Sequence, residues 1–368
     1  MQSSPFKKLL LGLLLLAMGA ALLLHFINSE LKPQEKAPPK ISKSGFEYHY
    51  TPPTLPVSNN KPETKSDDDE WVKIPQISRE KAEAWLAKHN RNATSLLAAF
   101  RAMGDTNYLN EAATNFPNDP HVELAVLARD EFPADRRKWL DLFKASSPSN
   151  SLANYFSAEE HFKNGKTDEA VQELLAASGK SQFDNHAMET RLDAEELYLD
   201  SGKSPREAAT FAMSDMGLEN LLPELVTIKK VDRGIGDLMK QKLIAGDADS
   251  AVNLAQMGMI IADKLNSGDS GKYLISQLTG MATEAIVLSH LDQNTSYDFL
   301  DGQTPAQALQ QRKDQHQSFR ELVGNFSTAY PSLTEGEMAS YLQRSKIYGE
   351  AEAMKWVVQQ HPPTDSTK

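Results

Sequence analysis

Glycines that are followed at a fixed spacing by small or apolar residues recur along this chain, and they restrict its fold more than any other feature. Three of them share the pattern: Gly165 with Ala170 and Leu174, Gly246 with Ala251 and Ala255, and Gly104 with Leu109 and Ala113. Glycine can adopt the left-handed conformation that ends a helix, and small residues let the next helix approach closely. The pattern therefore predicts pairs of helices joined by tight corners.

Helical periodicity continues through the rest of the chain. From Trp71 onwards, apolar residues recur at helical spacings, and no segment shows the alternation that is typical of a strand. Ser78 is suited to cap a helix, and the segments 304–307 and 334–337 match capping boxes, in which a threonine is followed three residues later by Gln or Glu. We therefore predict an all-α fold built from helical hairpins.

The segment from Ser151 to Asp184 resembles the tetratricopeptide repeat. Five residues stand where that repeat has its small and apolar signature residues: Ala158, Gly165, Ala170, Leu174 and Ala177. Three residues depart from the signature: Asn154, His161 and Gln182, which replaces the closing proline. Looser units lie around residues 84–116, 117–150, 188–216 and 231–265.

The resemblance covers about half of the chain. It implies an α-solenoid, a right-handed stack of helix pairs that binds peptides or proteins along a groove. It implies no enzymatic activity. We therefore expect a tetratricopeptide-like α-solenoid of helical hairpins, placed behind one N-terminal transmembrane helix.

The apolar segment from Leu9 to Ile27 follows a basic stub, residues 1–8, and is interrupted only by His25. A helix of this length is about 28 Å long, enough to cross a hydrocarbon core. No A-x-A site follows the segment, so we predict an uncleaved signal anchor, with a cleaved signal peptide as the alternative. Lys7 and Lys8 favour a cytoplasmic amino terminus. We expect a single-pass protein of a bacterial inner membrane, with its soluble part periplasmic or extracytoplasmic.

Composition divides the remainder. Residues 28–70 are rich in proline and polar residues and contain too little apolar surface to fold, which predicts a disordered tether. A helical repeat domain is predicted over 71–267. A C-terminal helical segment over 268–363 is predicted to pack on the repeats or cap them, and a short tail covers 364–368.

Charge and motifs limit the function. The net charge of −11 argues against a nucleic-acid partner, and the absence of cysteine excludes thiolate chemistry. A phosphate-binding loop ending at Gly179-Lys180-Ser181 would need glycine where Leu174 stands. The tetrapeptide 268–271 matches the nucleophile motif of trypsin-like proteases, but the chain has no strands to build that fold. We predict no catalytic residue, cofactor or metal site.

Two clusters carry open alternatives. Glu159, Glu160 and His161 form the nearest acidic–histidine cluster, which we expect to be a packing feature of the repeat. Tyr341, Tyr348 and Trp356 either pack in the core or form a binding patch.

We expect a non-catalytic interaction or scaffold protein with a protein or peptide partner, held in the lipid bilayer through Leu9 to Ile27. The alternatives are an all-α hydrolytic or lytic enzyme with a carboxylate site, and a self-assembling structural factor.

Overall fold

The computed structural model describes residues 77–215 and 222–362, with side chains omitted at 214, 215, 222 and 223. The helices before the break are α1 (Arg79–Lys88), α2 (Ala93–Met103), α3 (Thr106–Asn115), α4 (Pro120–Arg129), α5 (Arg136–Ser146), α6 (Leu152–Lys163), α7 (Thr167–Ser178), α8 (Ala187–Asp200) and α9 (Pro205–Asp215). After it come α10 (Leu222–Ile244), α11 (Ala248–Asn266), α12 (Leu274–Ser289), α13 (Pro305–Ala329), α14 (Glu335–Tyr348) and α15 (Glu350–Gln360). The predicted all-α class is confirmed for these residues.

The basic stub at 1–8, the anchor from Leu9 to Ile27, the tether at 28–70 and the tail at 364–368 lie outside the described residues. None of the helices that the structure describes is both long enough and apolar enough to cross a bilayer.

Glycine forms the corners of three helical hairpins. Gly104 follows α2, Gly165 joins α6 to α7, and Gly246 joins α10 to α11, with φ of 65°, 68° and 78°. In each hairpin the two helices pack against each other. A Cβ at any of these glycines would meet no atom within 4 Å. The requirement for glycine at these corners is therefore conformational, because L-residues are strained at such φ values.

Gly165→Ala is expected to lower the free energy of unfolding by about 1 kcal/mol, since it adds left-handed strain without a steric clash. The matched control is Gly324→Ala in α13, where a Cβ also meets no atom within 4 Å but φ is not positive. There alanine is expected to stabilise by up to about 1 kcal/mol through helix propensity. Urea unfolding followed by circular dichroism measures both. Shifts of the same sign would contradict the corner assignment.

The alanines and the leucine of the repeat signature lie in the core. Ala158, Ala170, Leu174, Ala177, Ala251 and Ala255 are all 0–1% exposed. They bring α6 against α7 and α10 against α11. The small residues therefore stand where the paired helices are in contact.

Two departures from the repeat signature have polar partners. Gln182 donates its backbone N–H to the Ser149 carbonyl oxygen at 3.1 Å, and its own carbonyl accepts from the Ser151 N–H at 2.8 Å. Proline has no N–H and would lose the first of these bonds. Asn154 is buried and donates to Glu173 Oε2 at 2.7 Å. Gln182 thus pairs both of its backbone groups and Asn154 pairs its amide nitrogen, while Asn154 Oδ1 is buried without a partner among the described residues.

Glycines inside helices allow close packing between elements. A Cβ at Gly234 in α10 would lie 2.6 Å from the ring of Phe162 at the end of α6. An added Cβ at Gly258 in α11 would likewise clash with the side chain of Val287 in α12. The absence of a side chain at Gly234 and Gly258 therefore lets neighbouring side chains pack directly on the helix backbone.

Helix α8 joins distant parts of the chain. It packs on α9 beside it in sequence, and also on α1 and α2. Its buried Arg191 donates to the Ser345 hydroxyl of α14 at 3.0 Å, and Glu195 pairs with Lys346 at 2.5 Å. The hydrophobic cluster around α1 to α5 accordingly includes Leu197 and Tyr198 of α8.

Three predicted helix starts are confirmed. Ser78 caps α1 by accepting from the Lys81 N–H. Thr304 and Thr334 cap α13 and α14, each in a complete capping box with Gln307 or Glu337. The division at residue 267 stays a prediction; α12 packs closely on α11 across it.

Candidate functional site

One face of α8 carries a row of carboxylates. Glu189, Asp193 and Glu196 are separated by four and three residues, so they lie along one side of the helix. Glu196 is close to His89 at the end of α1, with 3.5 Å between Oε1 and Nε2. Asp193 is half-buried, and its carboxylate interacts electrostatically with Arg101 in α2 and His121 in α4. The row therefore faces the side of the molecule formed by α1, α2 and α4.

Two histidines meet at the start of this row. His186 precedes α8 with φ of 52°, and His121 lies in the first turn of α4. Their ring centroids are 4.0 Å apart. His121 Nδ1 lies 3.1 Å from Asp119 Oδ1, and His186 Nδ1 lies 3.4 Å from Asp184 Oδ2. Each imidazole thus has its own neighbouring carboxylate.

The two imidazoles differ in their proton affinity. Burial opposes protonation of His121, but the hydrogen bond and charge of Asp119 outweigh it and raise the pKa of His121. Burial and the positive charge of His121 lower the pKa of His186. Its Nε2 atom is buried and has no hydrogen-bond partner among the described residues. The shifts in pKa have opposite directions, so His121 binds a proton more tightly than His186 does.

A buried acid lies at the inner side of the same region. Burial raises the pKa of Glu224, in α10, to about 7, although the positive charges of Arg101 and Arg129 oppose this rise. Burial lowers the pKa of Arg101 to about 10, so its guanidinium stays charged at neutral pH. Burial also raises the pKa of Asp193. The region combines imidazoles, carboxylates and a cation, the groups that bind ions or move protons.

We name Asp119, His121, Asp184, His186 and Glu189 the histidine–carboxylate cluster. Sequence reasoning missed it, because its two histidines lie far apart in the chain. The signal present was Asp-x-His-x-x-Glu over 184–189, at the start of a helix. The contribution of His121 could not be found from sequence, because it comes from a different hairpin.

The predicted acidic–histidine cluster around His161 lies elsewhere. Glu159 is buried and pairs with Lys230 of α10 at 3.2 Å. Glu160 and His161 each have one buried atom without a hydrogen-bond partner among the described residues. These residues therefore lie beside the contact between α6 and α10.

The three C-terminal aromatic residues separate into two groups. Tyr341 is 1% exposed and packs against Phe326 and Tyr330. Tyr348 is 61% exposed, and Trp356 is half-buried on the surface. Tyr341 is therefore a core residue, Trp356 packs partly against the same hydrophobic cluster, and Tyr348 is exposed.

Arg344 lies next to the rings of both Tyr348 and Trp356. The Arg344 guanidinium lies 4.9 Å from the Trp356 ring centroid and 6.0 Å from that of Tyr348. Ile347, beside Tyr348, is 50% exposed. We name Arg344, Ile347, Tyr348 and Trp356 the aromatic patch. Arginine, tyrosine and tryptophan are the residues most enriched among interface anchors.

No protein-family model matches this chain, and neither the curated proteins nor the solved structures contain a match. The proposals below therefore depend on the geometry of the chain itself.

Proposed function

We propose that this chain is a membrane-anchored, non-catalytic interaction protein, in which tetratricopeptide-like hairpins support a C-terminal helical segment that presents the aromatic patch to a protein partner. The observation that carries the proposal is the exposure of Tyr348 beside the half-buried Trp356, with Arg344 between the two rings. An interface would bury the exposed Tyr348 ring and gain apolar contact area.

The framework around the patch suits a docking role. Tyr341, one helical turn before Arg344 and Ser345, is fixed in the core, and Ser345 accepts from Arg191 of α8. The patch therefore stands on a helix that is held at several buried points. Binding to a rigid surface costs less ordering entropy than binding to a loose one.

The membrane anchor and the solenoid arrangement form part of the proposal. The three glycine corners and the buried alanines support tetratricopeptide-like hairpins. In a simple solenoid, each hairpin contacts only its neighbours. Here α8 also packs on α2, so two hairpins that are distant in sequence are in contact. The enzyme and self-assembly alternatives are outcomes of the test below.

Capture of the full-length protein from detergent-solubilised native membranes, followed by quantitative mass spectrometry, tests the aromatic patch. We expect a co-purifying protein whose recovery falls at least tenfold with Tyr348→Ala or Trp356→Ala. The fall reflects about 1.4 kcal/mol or more of lost binding free energy. The control is Leu175→Ala on α7, which removes an apolar side chain that is 56% exposed, close to the 61% of Tyr348.

Recovery that is unchanged by both aromatic substitutions would contradict the patch as a docking surface. Recovery of the chain alone, with the tagged and untagged copies associated, would favour self-assembly. Circular dichroism of each variant shows whether the fold is retained, which is expected most clearly for Tyr348→Ala because the Tyr348 side chain is exposed.

A further inference from the structure

Three ligand-type side chains of the histidine–carboxylate cluster lie close enough to share one ion. A ring nitrogen of His186 and one carboxylate oxygen each of Asp184 and Glu189 lie within 4.8 Å of one another. His186 stands directly before α8, and Glu189 lies in its first turn, three residues later. This spacing places both side chains on the same side of the helix start.

The distances suit a small, tetrahedrally coordinated ion. Zinc binds nitrogen and oxygen ligands at about 2.0–2.1 Å, which separates two ligand atoms by roughly 3.3 Å. His186 Nδ1 and Asp184 Oδ2 are 3.4 Å apart. A change of rotamer at the exposed Glu189 side chain would bring its carboxylate oxygen to a similar distance from the other two ligand atoms.

The loop that carries the ligands is held from a different element. Asn150 Nδ2 donates to the Asp184 carbonyl oxygen at 2.7 Å, and Asn150 Oδ1 accepts from the Asp184 N–H at 3.1 Å. Asp184 Oδ1 accepts from the His186 N–H at 2.8 Å, so Oδ2 remains for an ion. Asn150 itself is buried. The turn that carries Asp184 and His186 therefore needs little ordering when an ion binds.

A second imidazole lies against the first. The His121 ring is 4.0 Å from that of His186, and its Nδ1 is next to Asp119. The His121 ring, held by Asp119, therefore limits the motion of the His186 imidazole.

We infer that Asp184, His186 and Glu189 form a binding site for a borderline divalent transition-metal ion, with the His121 ring packed against His186 and the fourth position left for water. Imidazole distinguishes this class from Ca²⁺ and Mg²⁺, which prefer oxygen ligands alone. The site goes beyond the proposed docking function and lies at the start of α8 rather than on the aromatic patch.

Zinc titration of the full-length protein, stripped with chelator and free of any oligohistidine tag, tests the site in competition with a fluorescent zinc indicator. We expect one Zn²⁺ per chain, with affinity reduced at least tenfold by His186→Asn and by Glu189→Gln. Asparagine tolerates the positive φ of residue 186, so the backbone is retained. Cobalt substitution is expected to give the strong visible absorption of a tetrahedral ion.

The matched control is Glu196→Gln, which neutralises another carboxylate of the same α8 row outside the three ligands. The zinc affinity of the Glu196→Gln variant is expected to equal that of the unsubstituted protein. Absence of stoichiometric binding, or equal weakening by Glu189→Gln and Glu196→Gln, would overturn the inference. Glu189 is exposed, so its substitution keeps the test decisive even where His186→Asn disturbs folding.

Discussion

Gly349→Ala is expected to lower the free energy of unfolding by about 3 kcal/mol. Gly349 joins α14 to α15 with φ of 92° and ψ of 166°, a region that is essentially restricted to glycine and costs other residues about 1–3 kcal/mol. An added Cβ would also lie 2.9 Å from the backbone of Lys272. Backbone atoms cannot rotate away, so steric strain is added to conformational strain.

The consequence extends to the next residue. Glu350 begins α15, and its Oε2 accepts from the Leu274 N–H at 2.9 Å at the start of α12. A shift of the backbone at Gly349 therefore weakens a bond that satisfies the first turn of another helix. The control is Gly336→Ala in α14, where a Cβ meets no atom within 4 Å and φ is not positive. Urea unfolding should separate the two variants clearly, and equal midpoints would refute the argument.

In the unsubstituted protein, Asp232 is expected to lower the free energy of unfolding by about 2–3 kcal/mol as the pH rises from 5 to 8. Asp232→Asn is expected to abolish this contribution. Asp232 is buried in α10, and burial raises its pKa to about 7 from the ordinary value near 3.8. A raised pKa favours the protonated folded state. Its contribution to stability is therefore complete below about pH 4 and is lost as the pH rises through 7.

The contacts of Asp232 agree with a proton on this carboxyl. Thr283 Oγ1 lies 2.6 Å from Asp232 Oδ2 and donates to the Thr279 carbonyl oxygen at 3.1 Å. A hydroxyl has a single hydrogen, so a protonated Asp232 can donate to Thr283 while Thr283 donates to Thr279. Asparagine can supply the same donor without a charge.

Urea unfolding at pH 5, 6, 7 and 8 measures this effect. The difference in unfolding free energy between pH 5 and pH 8 should be smaller in Asp232→Asn than in the unsubstituted protein. Glu337→Gln is the control, because Glu337 is a helix-capping carboxylate at the surface and its pKa is lowered through its bonds to Thr334. Parallel pH profiles for Asp232→Asn and the unsubstituted protein would exclude a proton on Asp232.

Sequence was most informative where the physics is local. The corner at Gly165 and the caps at Ser78, Thr304 and Thr334 depend on residues within one or two turns of one another. Their backbone conformations could therefore be predicted from residue type and spacing. The all-α class followed from the same local patterns.

The candidate sites depend on long-range packing, which the sequence does not display. His121 meets His186 only because α4 and α8 converge, although they belong to different hairpins. Tyr341 and Tyr348 are seven residues apart and share the helical periodicity of core residues, yet only Tyr341 is covered. The covering elements decide which of two similar side chains is buried, and their positions are set by the whole fold.

The position of α8 has a consequence for synthesis. Leu96 and Leu97 belong to the same hydrophobic cluster as Leu197 and Tyr198 of α8. When α1 to α7 have left the ribosome, the α8 side of that cluster is still uncovered. Until α8 has been synthesised, the amino-terminal hairpins therefore expose apolar surface. Contacts between elements that are distant in sequence also form slowly. Truncated chains that end before residue 187 should consequently aggregate or be degraded, even though most of their own hairpins are complete.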